Sequence, residues 1–176
     1  MSRVPYLDDT GHPELKALCD RIRAERGGRL LNLYRALLNS PKIAEGWLNL
    51  FTAIRQQADL PAQYRELAIM LIAVINGADY EYRGHVPFAL QAGLTQEQLD
   101  DLPAWRHSAR YDAKQKGVLE YTECMTRHVH VPDEVFALVQ PHFEPRQMVE
   151  LTATIAGYNL VSRFLEAVRI DPEEHG

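Results

Sequence analysis

The stretch Pro61–Gly93 constrains the fold more than any other part of this sequence, because it holds one almost wholly apolar segment. Positions 67–75 carry apolar side chains in every direction, and a helix that is apolar on several faces is usually buried. The pair Asn76-Gly77 then ends the segment, since glycine readily takes the left-handed conformation that closes a helix. A second helical pattern follows over about residues 79–92. The stretch therefore predicts two helices, joined by a tight turn, in the core of the molecule.

The rest of the chain is typical of an all-α protein. Apolar residues recur at helical spacing, as at Leu15, Leu18 and Ile22, and no segment of strand length shows alternating β-branched residues. The sequence predicts about eight helices, with residues 102–111 as the longest loop. Thr95–Gln98 has the form of a capping box, and Ser40-Pro41 that of a helix N-cap followed by a first-turn proline.

Charge and composition narrow the partners that the chain can have. The formal net charge is −5, and no basic run is present, so we expect no nucleic acid partner. No window approaches 18 uninterrupted apolar residues, so we expect no membrane partner. The N-terminus lacks the apolar region of a secretion signal, and Cys19 and Cys124 are far apart in sequence. We therefore expect one domain with two reduced thiols in the cytoplasm.

Three polar side chains within the central stretch are candidates for acid–base chemistry. Glu81 and His85 are four residues apart, so they share one face of the second helix. Glu66 lies in the first helix, just before the apolar run. A histidine can give and take protons at neutral pH, and a neighbouring carboxylate orients its ring. The spacing predicts that Glu66 comes within reach of the Glu81–His85 face and that the three residues form a proton-transfer site.

The same residues resemble the signature of the carboxymuconolactone decarboxylase family. Its peroxidase branch, the AhpD-like alkylhydroperoxidases, carries a Glu, a C-x-x-C pair and a His, and Glu66 and His85 match the Glu and the His. The two cysteine positions fall at Ala78 and Glu81, so the thiol pair is absent. The arrangement is similar to the decarboxylase branch instead. The flanking stretches RLLNLYRALLNSPKIAEGW and ELTATIAGYNLVSRFLEAV also look like helices of the family.

This resemblance implies an AhpD-like helical bundle over residues 29–176, with residues 1–28 as an arm and helix packed against it as one unit. It implies a lyase that performs decarboxylation, or lactone or proton-transfer chemistry, on a small carboxylated compound without an organic cofactor. His85 would move the proton, Glu66 would orient or relay it, and Glu81 would act as the second acid–base group. The resemblance further implies a homo-oligomer, dimeric or trimer-based.

Further residues are candidates for binding the small-molecule substrate or a second subunit. Tyr80 neighbours Glu81, and Tyr158-Asn159 interrupts the apolar final helix within the family-like stretch IAGYN. We expect these three side chains to contribute to substrate binding. Trp47 and Phe51 share a face of the third helix and are expected in the core or in a subunit contact.

Other interpretations of these residues stay open at this level. Glu66 could pair with Arg65 or Arg83 on a solvated surface. A metal site is not expected, since di-metal bundles use paired Glu-x-x-His motifs, and His128-Val129-His130 has the character of a helix end. A thiol peroxidase would need an attacking and a resolving thiol, which Ala78 and Glu81 do not supply. A non-enzymatic family member that binds a small molecule or a partner is the main alternative.

Overall fold

The computed structural model describes residues 1–173, and every regular element in that range is helical. It contains nine α-helices and no strand within the described residues, in agreement with the predicted all-α class. Short 3₁₀ segments and one π-helical turn, Ala53–Gln57, supplement them. The α-helices are α1 (Lys16–Glu25), α2 (Asn32–Leu37), α3 (Pro41–Thr52), α4 (Ala62–Asn76), α5 (Asp79–Gln91), α6 (Gln96–Asp101), α7 (Ala113–Arg127), α8 (Asp133–Phe136) and α9 (Pro145–Val168).

One compact unit consists of residues 1–57 together with residues 165–173. Helix α3 packs against α1 and α2, and Cys19, Ile22 and Leu48 are completely buried there. Trp47 and Phe51 lie in the same interior, with ring centroids 5.1 Å apart. These two aromatic residues therefore belong to the chain's own core, which was one of the two roles expected for them.

The second compact unit, residues 58–164, is built around α4. Helix α4 packs against both α5 and α7, and its buried residues run without interruption over positions 66–73. Leu67, Ile69, Met70 and Ile72 have no exposed surface. Each such side chain contributes about 1.5–3 kcal/mol on burial, so α4 is the centre of this core, as its apolar pattern predicts.

The turn between α4 and α5 depends on Gly77. Its φ of +65° is left-handed, and the N–H of Ala78 donates to the carbonyl of Ala73 at 2.9 Å, which is the Schellman pattern of a helix end. Helix α5 starts at Asp79, directly after this turn. With so short a connection the chain folds back at once, and α5 packs against the helix that precedes it. Gly93, with φ +93°, ends α5 in the predicted way.

The predicted helix starts are correct in part. The capping box at Thr95 is confirmed, since Thr95 Oγ1 accepts from the Gln98 N–H and Gln98 Oε1 accepts from the Thr95 N–H. Ser40 stands at the N-cap of α3 before Pro41, but its side chain makes no capping bond.

The predicted loop at 102–111 is wrong in its first half, where Leu102–His107 is 3₁₀-helical. Leu102 and Trp105 are buried there, and this tertiary packing orders a segment that has no clear period.

The expected division into residues 1–28 and 29–176 stays a prediction, and residues 174–176 of the latter lie outside the described range. Within residues 1–173, no helix combines the length and the hydrophobicity that crossing a bilayer requires.

The close approach of α7 to the segment after α8 yields a stability prediction. A Cβ added at Gly117 would lie 2.8 Å from the backbone carbonyl oxygen of Leu138. Because backbone cannot rotate away, Gly117→Ala should lower the free energy of unfolding by about 1–3 kcal/mol, measured by urea denaturation. The control is Gly84→Ala in α5, where nothing lies within 4 Å and alanine should stabilise by up to about 1 kcal/mol. Equal effects of the two substitutions would contradict this packing.

Candidate active site

The buried face of α5 carries the candidate site. Glu81, His85 and Ala89 are the buried residues of this helix, at intervals of four, as expected for one helical face. Glu81 is 2% exposed and His85 is 8% exposed. Two ionisable side chains thus face the interior of residues 58–164, where each needs a polar partner.

Glu66 of α4 is the partner of His85. The Nδ1 atom of His85 lies 2.8 Å from Glu66 Oε2, and both side chains are buried. The second oxygen of Glu66, Oε1, accepts from Nε of Arg65 at 3.1 Å. The expected pairing of Glu66 with Arg65 is therefore present, but it lies in the interior and includes the histidine. Arg83, the other cation considered for Glu66, pairs with Asp79 instead.

These partners keep Glu66 ionised in spite of its burial. Burial acts to raise the pKa of Glu66, but the hydrogen bond and charge of His85, together with Arg65, hold it below its ordinary value of 4.5. A carboxylate that accepts from Nδ1 fixes the orientation of the imidazole, and it favours the doubly protonated ring.

Two aromatic rings flank the imidazole. Tyr158 of α9 is 2% exposed and meets His85 edge to face, with centroids 5.1 Å apart. Phe88, one turn further along α5, has its centroid 5.8 Å from that of His85 and is 44% exposed. The ring of His85 is therefore held between a buried tyrosine and a phenylalanine at the protein surface.

Glu81 is bound by a residue that the sequence analysis did not single out. Ser162 of α9 has no exposed surface, and its Oγ lies 3.1 and 3.2 Å from the two carboxyl oxygens of Glu81. Its hydroxyl also lies 3.0 Å from the carbonyl oxygen of Tyr158. The only sequence signal for this contact is a small polar residue four positions after Tyr158, on the same face of an apolar helix.

The hydrogen bonding around Ser162 is consistent with a proton on Glu81. A hydroxyl has one hydrogen to donate, and the carbonyl of Tyr158 can only accept it. If Ser162 donates its one hydrogen to the carbonyl of Tyr158, a protonated Glu81 can donate to Oγ, and both contacts are then hydrogen bonds. Burial raises the pKa of Glu81 well above its ordinary value of 4.5, and the bond to Ser162 offsets only part of that rise. The structure thus holds one ionised glutamate, Glu66, and one that favours its neutral form.

The remaining predicted site residues have different surroundings. Asn159 is 6% exposed and donates to Thr126 Oγ1 at 3.0 Å. It also accepts from Asn76 at 3.2 Å. Tyr80 is half-buried in the first turn of α5. Roles in substrate binding for Tyr80, Tyr158 and Asn159 stay predictions, as do the catalytic roles of Glu66, Glu81 and His85.

Two surface pockets occur among residues 58–164, with volumes of about 350 and 380 Å³. Neither is lined by Glu66, Glu81 or His85. As expected, Glu81 and His85 share the buried face of α5 and Glu66 reaches His85, while the carboxyl of Glu81 contacts Ser162. Within the described range they form no metal-binding group of three acidic, histidine or cysteine side chains.

Both cysteines are free thiols. Burial raises the pKa of Cys19 and of Cys124, and Glu120 and Glu134 raise that of Cys124 further. A raised pKa reduces the thiolate fraction at neutral pH, and thiol peroxidases depend on the thiolate.

The neutral form of Glu81 has a measurable consequence for stability. As pH rises above 4.5, this carboxyl ionises in the unfolded chain but keeps its proton in the folded one, so its contribution to stability falls until the folded pKa is passed. Relative to Glu81→Gln, which has no proton to lose, the wild type should lose up to about 1.4 kcal/mol per pH unit over that window. Urea denaturation from pH 4 to 8 measures the difference. Glu134→Gln, at an exposed position, is the control, and parallel curves for wild type and Glu81→Gln would contradict a neutral Glu81.

The sequence comparisons agree with the resemblance seen in the central stretch. Residues 41–123 match the model of the Carboxymuconolactone decarboxylase family. The uncharacterized protein YdfG of Bacillus subtilis is 28% identical over 110 residues, which are 61% of this chain and 75% of YdfG.

Solved structures extend the likeness to nearly the whole chain. An AhpD-core, peroxidase-related protein from Ralstonia eutropha JMP134 has a TM-score of 0.82 at 16% identity, over 98% of this chain and 93% of its own. The debrominase Bmp8 in complex with 2,3,4-tribromopyrrole has a TM-score of 0.80 at 18% identity, over 99% of this chain and 93% of its own. Identities this low are evidence for the fold alone. Residues 41–123 therefore resemble the carboxymuconolactone decarboxylase family, and these neighbours show that the chain has the AhpD-like fold.

Proposed function

We propose that this protein is an enzyme that performs acid–base chemistry, either decarboxylation or lactone or proton transfer, on a small carboxylated compound. The observation that carries the proposal is the buried contact of 2.8 Å between Glu66 and Nδ1 of His85. A carboxylate that holds one ring nitrogen leaves the other as the proton carrier, which is the common arrangement of a general acid–base histidine. The match of residues 41–123 to the carboxymuconolactone decarboxylase family supports the same class of reaction.

In a decarboxylation, the bond between the substrate and its carboxylate carbon breaks and carbon dioxide leaves. The electron pair stays on the substrate, where a conjugated carbonyl can delocalise it as a dienolate. Nε2 of His85 then delivers a proton to the dienolate carbon and is reprotonated from water. Glu66 supports this step because its negative charge stabilises the imidazolium before transfer. A substrate that delocalises its own charge requires no organic cofactor from the protein.

Glu81 fits the role of an acid in this scheme, since burial raises its pKa well above the ordinary value and so favours its protonated form. Ser162 keeps the carboxyl in place through contacts of 3.1 and 3.2 Å. Tyr158 packs against the imidazole and limits its rotation. The substrate would approach on the side of Phe88, the exposed ring beside His85.

The second candidate is a member of the family that binds a small molecule without catalysis. It is supported by the position of the two pockets, since neither is lined by Glu66, Glu81 or His85. In this case the Glu66–His85 contact would serve to satisfy two polar groups inside an apolar core. The two candidates differ in what a substitution of His85 does to turnover.

We also propose that the chain forms a homo-oligomer, either a dimer or a trimer-based assembly. Exposed apolar side chains on residues 58–164 support this, among them Phe88, Val149 and Leu160, which are 44%, 69% and 47% exposed. Association would remove such side chains from water, which is favourable.

Light scattering on the full chain at micromolar concentration should therefore give the mass of two, three or a multiple of three chains, because the exposed apolar surface is removed from water on association. Phe88→Ser should reduce that mass, whereas Phe51→Leu, in the interior of the other unit, should not. A mass equal to the single chain of 20.1 kDa would contradict the assembly.

His85→Ala should lower turnover of a substrate found by screening small carboxylates and lactones by about 10²–10⁴-fold, the usual contribution of a general acid–base group. Glu66→Gln should lower it less, because an amide oxygen still accepts from Nδ1 although it cannot balance the charge of the imidazolium. The measurement is kcat, with thermal unfolding recorded for each variant.

His142→Ala, at an exposed position in the same unit, is the matched control and should leave kcat unchanged. Full turnover by a folded His85→Ala variant would overturn the enzymatic role of this histidine and leave the binding candidate.

A further inference from the structure

The larger of the two pockets lies between the C-terminal end of α7 and the second half of α9, and it has a volume of about 380 Å³. Its polar lining includes Arg127 and His128 from the end of α7, and Asn159 and Arg163 from α9. None of the described residues that line it is acidic. In a chain with a formal net charge of −5, this is a local concentration of positive charge.

Arg163 is an exposed residue at the wall of this pocket, and Asn159 holds it there through two hydrogen bonds. Its Nη1 donates to the side-chain oxygen of Asn159 at 3.0 Å and to the Asn159 carbonyl at 3.2 Å. Asn159 is itself buried and held by Thr126 and Asn76. A guanidinium that is already anchored on one side loses less conformational freedom when it binds a ligand.

Over residues 1–173, the structure has no carboxylate within ion-pair distance of Arg163. Arg127 differs, because its Nε donates to Glu123 at 2.8 Å. That contact uses one edge of the Arg127 guanidinium, and Glu123 does not line the pocket.

We propose that this pocket binds a small organic anion through a carboxylate group that pairs with Arg163 and Arg127. Planar guanidinium groups match the geometry of carboxylates and form strong, charge-assisted hydrogen bonds with them. Met125 and Ala156, which also line the pocket, provide apolar contact for a short hydrocarbon chain. The site is separate from Glu66 and His85, so it goes beyond the proposed function and does not depend on it.

The pocket is tested by titrating the full chain with glutarate, a small aliphatic dicarboxylate, while amide chemical shifts are recorded by NMR. We expect saturable shifts centred on residues 125–129 and 156–163 and none with glutaramide, the uncharged analogue.

Arg163→Gln should weaken binding by about tenfold or more, since hydrogen bonds to charged groups have effects of this size. Arg127→Gln is a second variant with the same expected direction. The control Arg146→Gln removes one positive charge from the same helix, outside the pocket, and should bind as the wild type does.

Four results would overturn the assignment. The first is the absence of saturable shifts up to about 10 mM glutarate, a concentration ten times a Kd of about 1 mM. The second is equal weakening of binding by Arg146→Gln. The third is shifts confined to other parts of the chain, and the fourth is tighter binding of inorganic phosphate than of glutarate. His85→Ala should bind glutarate unchanged. Loss of binding in that variant would show that the pocket belongs to the acid–base site, whereas loss of turnover alone concerns only the proposed function.

Discussion

The structure of residues 58–164 depends on the burial of a carboxylate within an apolar helix. Helix α4 supplies the centre of the core, and Glu66 begins its buried run. An ionised carboxylate in such a place is strongly unfavourable unless it is paired. His85 at 2.8 Å and Arg65 at 3.1 Å provide that pairing, so the core and the candidate site stabilise each other.

Glu66, which contacts His85, and Glu81, one helical turn before His85, have opposite preferences for a proton. Glu66 has His85 and Arg65 on its two oxygens, which hold its pKa below the ordinary value. Burial raises the pKa of Glu81 well above the ordinary value, and the hydroxyl of Ser162 offsets only part of that rise. Two carboxyl groups whose pKa values are shifted in opposite directions are suited to opposite tasks. One can stabilise a positive charge, and the other can donate a proton. This difference is the strongest chemical argument for an acid–base enzyme, and it arises from the partners rather than from the residue type.

Two surface features of residues 58–164 lie next to the buried Glu66–His85 pair or to a residue that contacts it. Phe88 lies against His85 and is partly exposed, so any molecule or subunit that covers it comes close to the imidazole. The Arg163 pocket draws on Asn159, which directly follows the tyrosine that packs on His85. Helix α9 therefore presents adjacent residues to two different sites, because successive residues of a helix point about 100° apart.

The sequence by itself determined the helices and the central turn. These features depend on residues that are close together in the sequence. They are the apolar run of α4, the left-handed Gly77, the capping box at Thr95 and the four-residue spacing of Glu81 and His85. The contact between Glu66 and His85 could also be anticipated, since a short turn forces two consecutive helices together. Tertiary structure alone decided that Glu81 pairs with Ser162, eighty-one residues away, and that Leu102–His107 is ordered by buried Leu102 and Trp105. Such contacts depend on how distant helices pack, and the spacing of residues along one helix carries no information about which residue of another helix will face it.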